Sequence, residues 1–340
     1  MVTETKTRTT TLSQLIKSYL ITCRHLSPHT QLYYGTCLKN LEWYAREHGW
    51  PEDASQITRD HIREILNYIA STRNRWGLDD PNRSSSRRAT PATVNHYGRV
   101  IKRLFRWASD EEEYVPDNGI WRLKLPSPAY RQVEPYTDGE LMAMLDACEE
   151  QFRCESRFLG SRNKAIIAMF SDTGLRLSEL GGIKLSDLHP RLQQVKVMGK
   201  GSKMRVVPLQ GESMKSLNRY LLHRPQEVPD WLWVSEDGTR FTEDSITTMV
   251  ERLKKRAGVT SGGMVHRFRH YFATRYLEAG GNPNSLRLLL GHESYAMVLH
   301  YTRLVSARKA VKEHEQFSPL NNLYRSQNHG RQDDGWGWKY

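Results

Sequence analysis

The sequence predicts a mostly α-helical protein with a small β-sheet, built as a helical N-terminal domain and a mixed α/β C-terminal domain. Three observations carry this. The 340 residues suggest about two domains at roughly 100–200 residues each. Helical apolar periodicity runs through most of the chain, whereas strand-like alternation gathers around a Gly-rich turn at residues 199–203. A proline-rich break lies between the two regions.

Leu12, Leu15, Ile16, Tyr19 and Leu20 follow the i, i+3, i+4, i+7, i+8 spacing of a first helix. Ser27-Pro28 supplies an N-cap and first-turn proline for a second, carrying Leu38, Leu41 and Ala45 and stopped by Gly49. Thr58 opens a third, with Ile62, Ile65, Leu66 and Ile69 on one face, and Thr90-Pro91 a fourth, with Val94, Ile101, Leu104, Phe105 and Ala108 inward. Between these last two, residues 73–89 have the Ser, Asp and Pro content of a loop. Pro116, Pro126, Pro128 and Pro135 cannot sit in a helix interior, so the linker is placed at 116–136, after a helical domain over 10–115. Thr137-Asp138-Gly139-Glu140 is a capping box that starts the second domain, 137–320. Gln194–Val197 and Met204–Pro208 alternate as a hairpin, and Trp231–Val234 reads as a further strand. From Thr242 the chain is helical with breaks at Gly262-Gly263, Gly280–Pro283 and Gly291, and residues 321–340 read as a loose polar tail.

Lys and Arg outnumber Asp and Glu by 50 to 38 (+12), and the excess is shared: +5 over residues 1–130 and +7 over the rest. An anionic partner touched by both halves is implied, with nucleic acid the commonest. On the fourth helix Arg99, Lys102, Arg103 and Arg106 crowd together beside Tyr97 and Trp107, a candidate phosphate-contacting face. The four cysteines show no C-x-x-C pairing, as expected of reduced thiols. No apolar run approaches 18 residues and the first eleven residues are polar, so an intracellular, cytoplasmic protein with no membrane partner is expected.

The chemistry-bearing residues stand at structural punctuation points of the second half. Arg176 sits where Thr173-Gly174-Leu175 turns into a new helix, a position whose free N–H groups favour an anion. Lys200 occupies the hairpin tip, with Lys203 as a second basic candidate there. His266 and Arg269 are three apart on one helical face. His292 follows Gly291, and Tyr301 lies nine residues further on. Each alone has an ordinary structural explanation. Together, two arginines, two histidines, a lysine and a tyrosine, without paired carboxylates or a metal cluster, suit a site that holds one phosphodiester and attacks it with a phenol.

In their order, Thr173–Leu180, Gly199–Leu209, His266–Thr274, Leu288–His292 and Tyr301 resemble the motifs of the tyrosine recombinases: phage integrases, Xer recombinases and transposon integrases. The spacings of 24 residues from Arg176 to Lys200, 23 from Arg269 to His292 and 9 from His292 to Tyr301 are similar to the Xer type. The resemblance covers residues 10–320 and implies a core-binding domain followed by a catalytic domain. It implies a site-specific DNA recombinase in which Tyr301 forms a 3′-phosphotyrosyl bond, Arg176 and Arg269 clamp the phosphate, and Lys200 is the general acid. His292 would bond the phosphate, His266 would assist proton transfer, and Glu179 would support the basic side chains. It also implies double-stranded DNA sites as substrate, a homotetramer on DNA, accessory DNA-bending or directionality proteins, and no cofactor, neither ATP nor metal. A type IB topoisomerase, a telomere resolvase, and a DNA-binding protein that no longer cleaves are the alternatives. Phe268 departs from the usual Leu between His and Arg.

Overall fold

Four helix starts in the N-terminal half are made by short polar side chains that take up orphan backbone N–H groups. Thr11 accepts from the Gln14 N–H at the start of α1 (Leu12–Thr22), and Ser27 from Thr30 at the start of α2 (Pro28–Glu47). Thr58 and His61 form the capping pair of α3 (Arg59–Ser71), and Thr90 caps α4 (Pro91–Arg106) with Pro91 in its first turn. The computed structural model describes residues 10–73, 75–76, 88–111, 114–126, 134–199, 203–226 and 228–329. The chain divides into two compact units, residues 1–131 and 132–340.

In the first unit α1–α4 bury Leu15, Leu38, Leu41, Ile62, Ile65, Ile101, Leu104 and Phe105 in one core. The expected linker begins later than its prolines suggested. Ile120 and Leu123 are buried in that same core, Asn118 donates to the Ile57 carbonyl (2.7 Å), and Asn95 donates to the Pro126 carbonyl (2.8 Å). Residues 116–126 therefore pack as part of the first unit, and 127–133 lie outside the described residues, as do 74 and 77–87 of the expected loop.

The second unit opens with α5 (Asp138–Cys154), started by the Thr137–Glu140 capping box, and α6 (Arg157–Thr173). A short α7 (Leu177–Gly181) leads to an antiparallel sheet in the order β1 (Leu188–His189), β2 (Gln194–Met198), β3 (Met204–Pro208). Val195 pairs with Val207 and Val197 with Arg205, so Val195, Val197 and Val207 point to the core. Alternation along β3 places Arg205 on the same inward face as Val207. Next come α8 (Gly211–His223), α9 (Glu243–Arg256), α10 (His266–Glu278), α11 (Pro283–Leu290), α12 (Ala296–Phe317) and α13 (Pro319–His329). Met144, Ile166, Phe170, Leu180, Tyr220 and Trp233 form the core, and Phe268 stacks on Phe170 at 5.6 Å between ring centres.

Two expectations are corrected. Trp231–Val234 is no strand: it makes only the isolated bridges Lys184–Trp231 and Val234–Arg240. Residues 321–329 are helical, because Leu320, Leu323 and Tyr324 recur at helical spacing in a segment whose polar composition suggested a tail. Residues 330–340 lie outside the described residues. No helix among the described residues is long and apolar enough to cross a membrane.

The α5–α6 crossing supplies a test of the core. A Cβ at Gly160 would overlap the backbone of Phe152. Gly160→Ala should therefore cost about 1–3 kcal/mol through overpacking, despite alanine's better helix propensity. Urea unfolding of the two chains measures it, and an unchanged midpoint would show that the helices can move apart freely.

Candidate active site

The site is assembled where α6, α7, α10, α11 and β3 end or begin. Gly174 closes α6 in the left-handed region (φ +62°), and a Cβ there would come within 2.6 Å of Phe272 and 2.7 Å of Leu290. That turn delivers Arg176 as the N-cap residue of α7. Three residues on, Glu179 accepts from the Arg176 backbone N–H (2.8 Å) and from its guanidinium Nη1 (2.8 Å).

Glu179 is only 3% exposed. Its two oxygens are also gripped by Arg205, Nη1 to Oε1 at 2.8 Å and Nη2 to Oε2 at 2.9 Å. Burial alone would raise its pKa, but the hydrogen bonds from Arg205 and the Arg176 backbone, with the charges behind them, outweigh it and hold the carboxyl at about 2. Arg205 also donates from Nε to the Leu289 carbonyl at 3.0 Å. Gly291 caps α11 in the left-handed region (φ +64°), where a Cβ would stand 3.0 Å from Arg205 Nη1.

Arg269, 5% exposed, donates from Nη1 to the Gly174 carbonyl and from Nη2 to the Leu290 carbonyl, both at 2.8 Å. Burial and neighbouring Arg176 lower its pKa to about 10, which leaves it charged at neutral pH. Its Nη2 also stands 2.7 Å from His292 Nε2. A guanidinium only donates, so Nε2 must be the acceptor and the imidazole proton sits on Nδ1. Among the described residues that buried Nδ1 has no partner. Leaving such a donor unmet costs about 1–3 kcal/mol. Burial, then Arg269, Arg176 and Arg205, push the His292 pKa down to about 4, so the ring is neutral at pH 7.

Arg176, Lys203, Arg205, Arg287 and His292 line a cleft of about 630 Å³. Lys203 is exposed at its rim and pairs with Glu293 at 2.9 Å. His266 stands on the exposed first turn of α10, its pKa lowered by desolvation, Arg269 and Arg176. Arg267 beside it is buried and holds the start of α10 in place by donating to the carbonyls of Glu134 (2.8 Å) and Pro135 (2.9 Å). Tyr301 lies in α12 at 2% exposure, packed with Ala273, Leu286, Leu290 and Val298, with the His270 ring 5.4 Å away. It is close enough to Arg269 to act on that guanidinium electrostatically.

The structure thus gathers Arg176, Glu179, Arg269 and His292, sets Lys203 at the rim, and keeps Tyr301 beneath the surface. Lys200 lies outside the described residues. Arg205 was missed: strand alternation placed it inward, but its partner Glu179 is 26 residues away. Among the described residues no group of three or more His, Cys, Asp or Glu side chains is arranged to hold a metal ion.

In the first unit, Arg99, Lys102, Arg103 and Arg106 line a groove of about 970 Å³ with Trp121 and Lys124. They are not equivalent. Lys102 donates to the Leu123 carbonyl (2.7 Å), Arg103 to the Tyr34 hydroxyl, and Arg106 pairs with Asp110 (3.4 Å) and lies over Trp121. Among the described residues no carboxylate lies within ion-pair distance of Arg99.

Residues 136–308 match the phage integrase family. A tyrosine recombinase XerC of Myxococcus xanthus is 34% identical over 306 residues, 87% of this chain and 94% of that protein. XerC of Shewanella amazonensis is 28% identical over 289 residues, 84% and 88% of the two chains. The fold is shared with the Tn1549 transposon integrase in complex with a circular intermediate DNA (TM-score 0.68, 19% identity, 86% of this chain and 95% of that one). It is shared also with a lambda integrase tetramer bound to a Holliday junction (TM-score 0.66, 20% identity, 86% and 78%). The chain belongs to the phage integrase family and is a tyrosine-type site-specific DNA recombinase.

The imidazoles give the site a pH signature. The folded chain holds His292 and His270 at about 4, against an ordinary 6.5, His270 through burial and then His266, Arg269 and His300. The unfolded chain binds more protons between those values, so stability should fall as pH drops from about 6.5 towards about 4. Urea unfolding at about pH 7.5, 5.5 and 4.5 measures the loss, and His292→Asn should lessen it. An undiminished loss in that variant would mean that His292 is not a titrating group.

Proposed function

We propose that the cleft holds the scissile phosphate of a double-stranded DNA site and that Tyr301 cleaves it. The observation that carries this is the buried Nδ1–H of His292, without a partner among the described residues, beside the guanidinium donors of Arg176 and Arg269. Preorganised donors around one small cleft suit the extra negative charge of a five-coordinate phosphorus. Arg176 and Arg269 grip the non-bridging oxygens and His292 donates to one of them. The Tyr301 oxygen bonds to phosphorus while the bond to the 5′ oxygen breaks. The phenolic proton leaves through His266, whose neighbours keep it neutral and able to accept, and Lys200 protonates the departing 5′ oxygen. The 3′-phosphotyrosyl link stores the bond for rejoining, so no ATP, metal or other cofactor enters the step. Glu179 supports the arginines from below.

The first unit, through residue 126, acts as the core-binding domain and residues 137–320 as the catalytic domain, and Arg99, Lys102, Arg103, Arg106 and Lys203 face DNA phosphates. Arg99, free of carboxylates among the described residues, is the strongest contact of the first unit. Four protomers gather on two duplexes in the cytoplasm, at the nucleoid, with accessory DNA-bending or directionality proteins as further partners. Support for assembly comes from the exposed Val311, Phe317, Leu320, Leu323 and Tyr324 on α12 and α13, an apolar face fit to dock on a neighbouring subunit. Because Tyr301 is buried here, α12 must shift to expose it, which links cleavage to assembly.

Duplexes selected by the Tyr301→Phe chain from a random-sequence DNA library supply the substrate. A nicked form should trap the wild type as a covalent adduct on a denaturing gel, while Tyr301→Phe binds without forming one. An adduct in the Phe variant would place the nucleophile elsewhere, and relaxation of plasmids lacking the selected site would favour a topoisomerase. Deleting residues 305–340 should weaken tetramer formation on DNA more than binding of one protomer; equal loss of both would count against docking in trans.

A further inference from the structure

We infer that Arg205 is a positioning residue of the recombination site: by gripping both oxygens of Glu179 and the Leu289 carbonyl, it sets where Arg176 and His292 meet the phosphate. This rests on the reading of the cleft as the phosphate site.

One guanidinium ties three chain segments together. Its forked ends meet Oε1 and Oε2 of Glu179 at 2.8 and 2.9 Å, which fixes the carboxylate plane from the strand side. The other face of that carboxylate holds the Arg176 backbone N–H and Nη1. Its Nε fixes the Leu289 carbonyl, two residues before the Gly291 cap and three before His292. Gly199 and Gly291 both leave room for it, since a Cβ on either would stand within 3.4 Å of Nη1.

The charge balance explains why an arginine is needed there. Glu179 carries one negative charge, faced by Arg176 from its own helix start and Arg205 from β3, with Arg269 of α10 and His292 also within electrostatic reach. Arg205 supplies one hydrogen bond to each oxygen and Arg176 one more to each, which leaves Arg176 32% exposed, with donors to spare on the cleft side. Without Arg205, the buried carboxylate would draw Arg176 inward or take up a proton. A lysine keeps the charge but cannot span two oxygens and a carbonyl from one plane.

The test uses the full chain and the nicked duplex selected above, comparing Arg205→Met, Arg205→Lys, Glu179→Gln and the Arg205→Met/Glu179→Gln double variant. Arg205→Met should slow Tyr301 adduct formation on the order of 100-fold, as misplacement of a reacting group does, with a much smaller change in site affinity. Arg205→Lys should stay folded and remain slow. The pH profile separates positioning from bulk support: Glu179, freed of its main donor and still buried, titrates higher, so Arg205→Met and Arg205→Lys should lose rate at a higher pH than the wild type, and the Glu179→Gln chains should lack that shift. The Glu179→Gln and Arg205→Met effects should be far from additive. Parallel loss of affinity and rate with an unchanged pH profile, or additive effects in the double variant, would overturn the inference. Urea unfolding of the same four-chain cycle reads the Arg205–Glu179 coupling without activity, and a coupling near zero would overturn it as well. A wild type that forms no adduct would instead sink the Tyr301 reading, leaving the unfolding cycle to judge Arg205.

Discussion

A carboxylate buried to 3% exposure must either be neutralised or be matched by fixed charges, and the catalytic unit is organised around the second solution at Glu179. Two guanidiniums and a backbone N–H meet it from two sides. The pairing also exports a surplus: Arg176, Arg205 and Arg269 place three cations around one anion. Burial first, and then the surrounding guanidiniums, lower the pKa values of Arg269 and His292. A phosphodiester held as proposed would offset that positive charge, and the further charge of its transition state would offset it more.

The frame that carries this charge is separable from the nucleophile. Arg269 joins the end of α6 to the end of α11 through the Gly174 and Leu290 carbonyls, while Tyr301 belongs to a small cluster around Leu286, Leu290 and Val298. That cluster packs Tyr301 against Leu286, Leu290 and Val298, with the His270 ring beside it. The guanidiniums are thus fixed by hydrogen bonds at helix ends, whereas Tyr301 is placed by the packing of one helix.

What the sequence disclosed follows the range of the interactions involved. Arg176 with Glu179, and the caps at Ser27, Thr58, Thr90 and Thr137, are local, three residues apart, and were legible as motifs. The helical content and the β2–β3 hairpin were legible from periodicity. Arg205 was not, because alternation gives its face but not the carboxylate it finds from another segment. The linker start was misplaced because prolines forbid helix without forbidding packing: Ile120 and Leu123, three apart in a short turn, drop into the core. α13 was missed because polar composition masked a sparse apolar repeat. The burial of Tyr301 is a tertiary fact to which neither spacing nor composition speaks.

The arginines show most directly how tertiary context assigns a role to a residue type. Arg267 spends its donors on the Glu134 and Pro135 carbonyls and on Glu140, and Arg162 spends its own on the Val234 carbonyl and Asn163 while stacking 3.8 Å from the Phe241 ring centre. Both are buried, with three N–H groups of Arg162 and four of Arg267 engaged, so they fasten segments. Arg103 is likewise committed to Tyr34. Arg176 keeps donors facing the cleft because Arg205 shares the demand of Glu179. A count of basic residues therefore overstates the DNA-facing charge. Arg176 spends two side-chain hydrogen bonds, on Glu179 and the Gly291 carbonyl, of the five N–H groups a guanidinium carries, and it stands on the wall of the cleft.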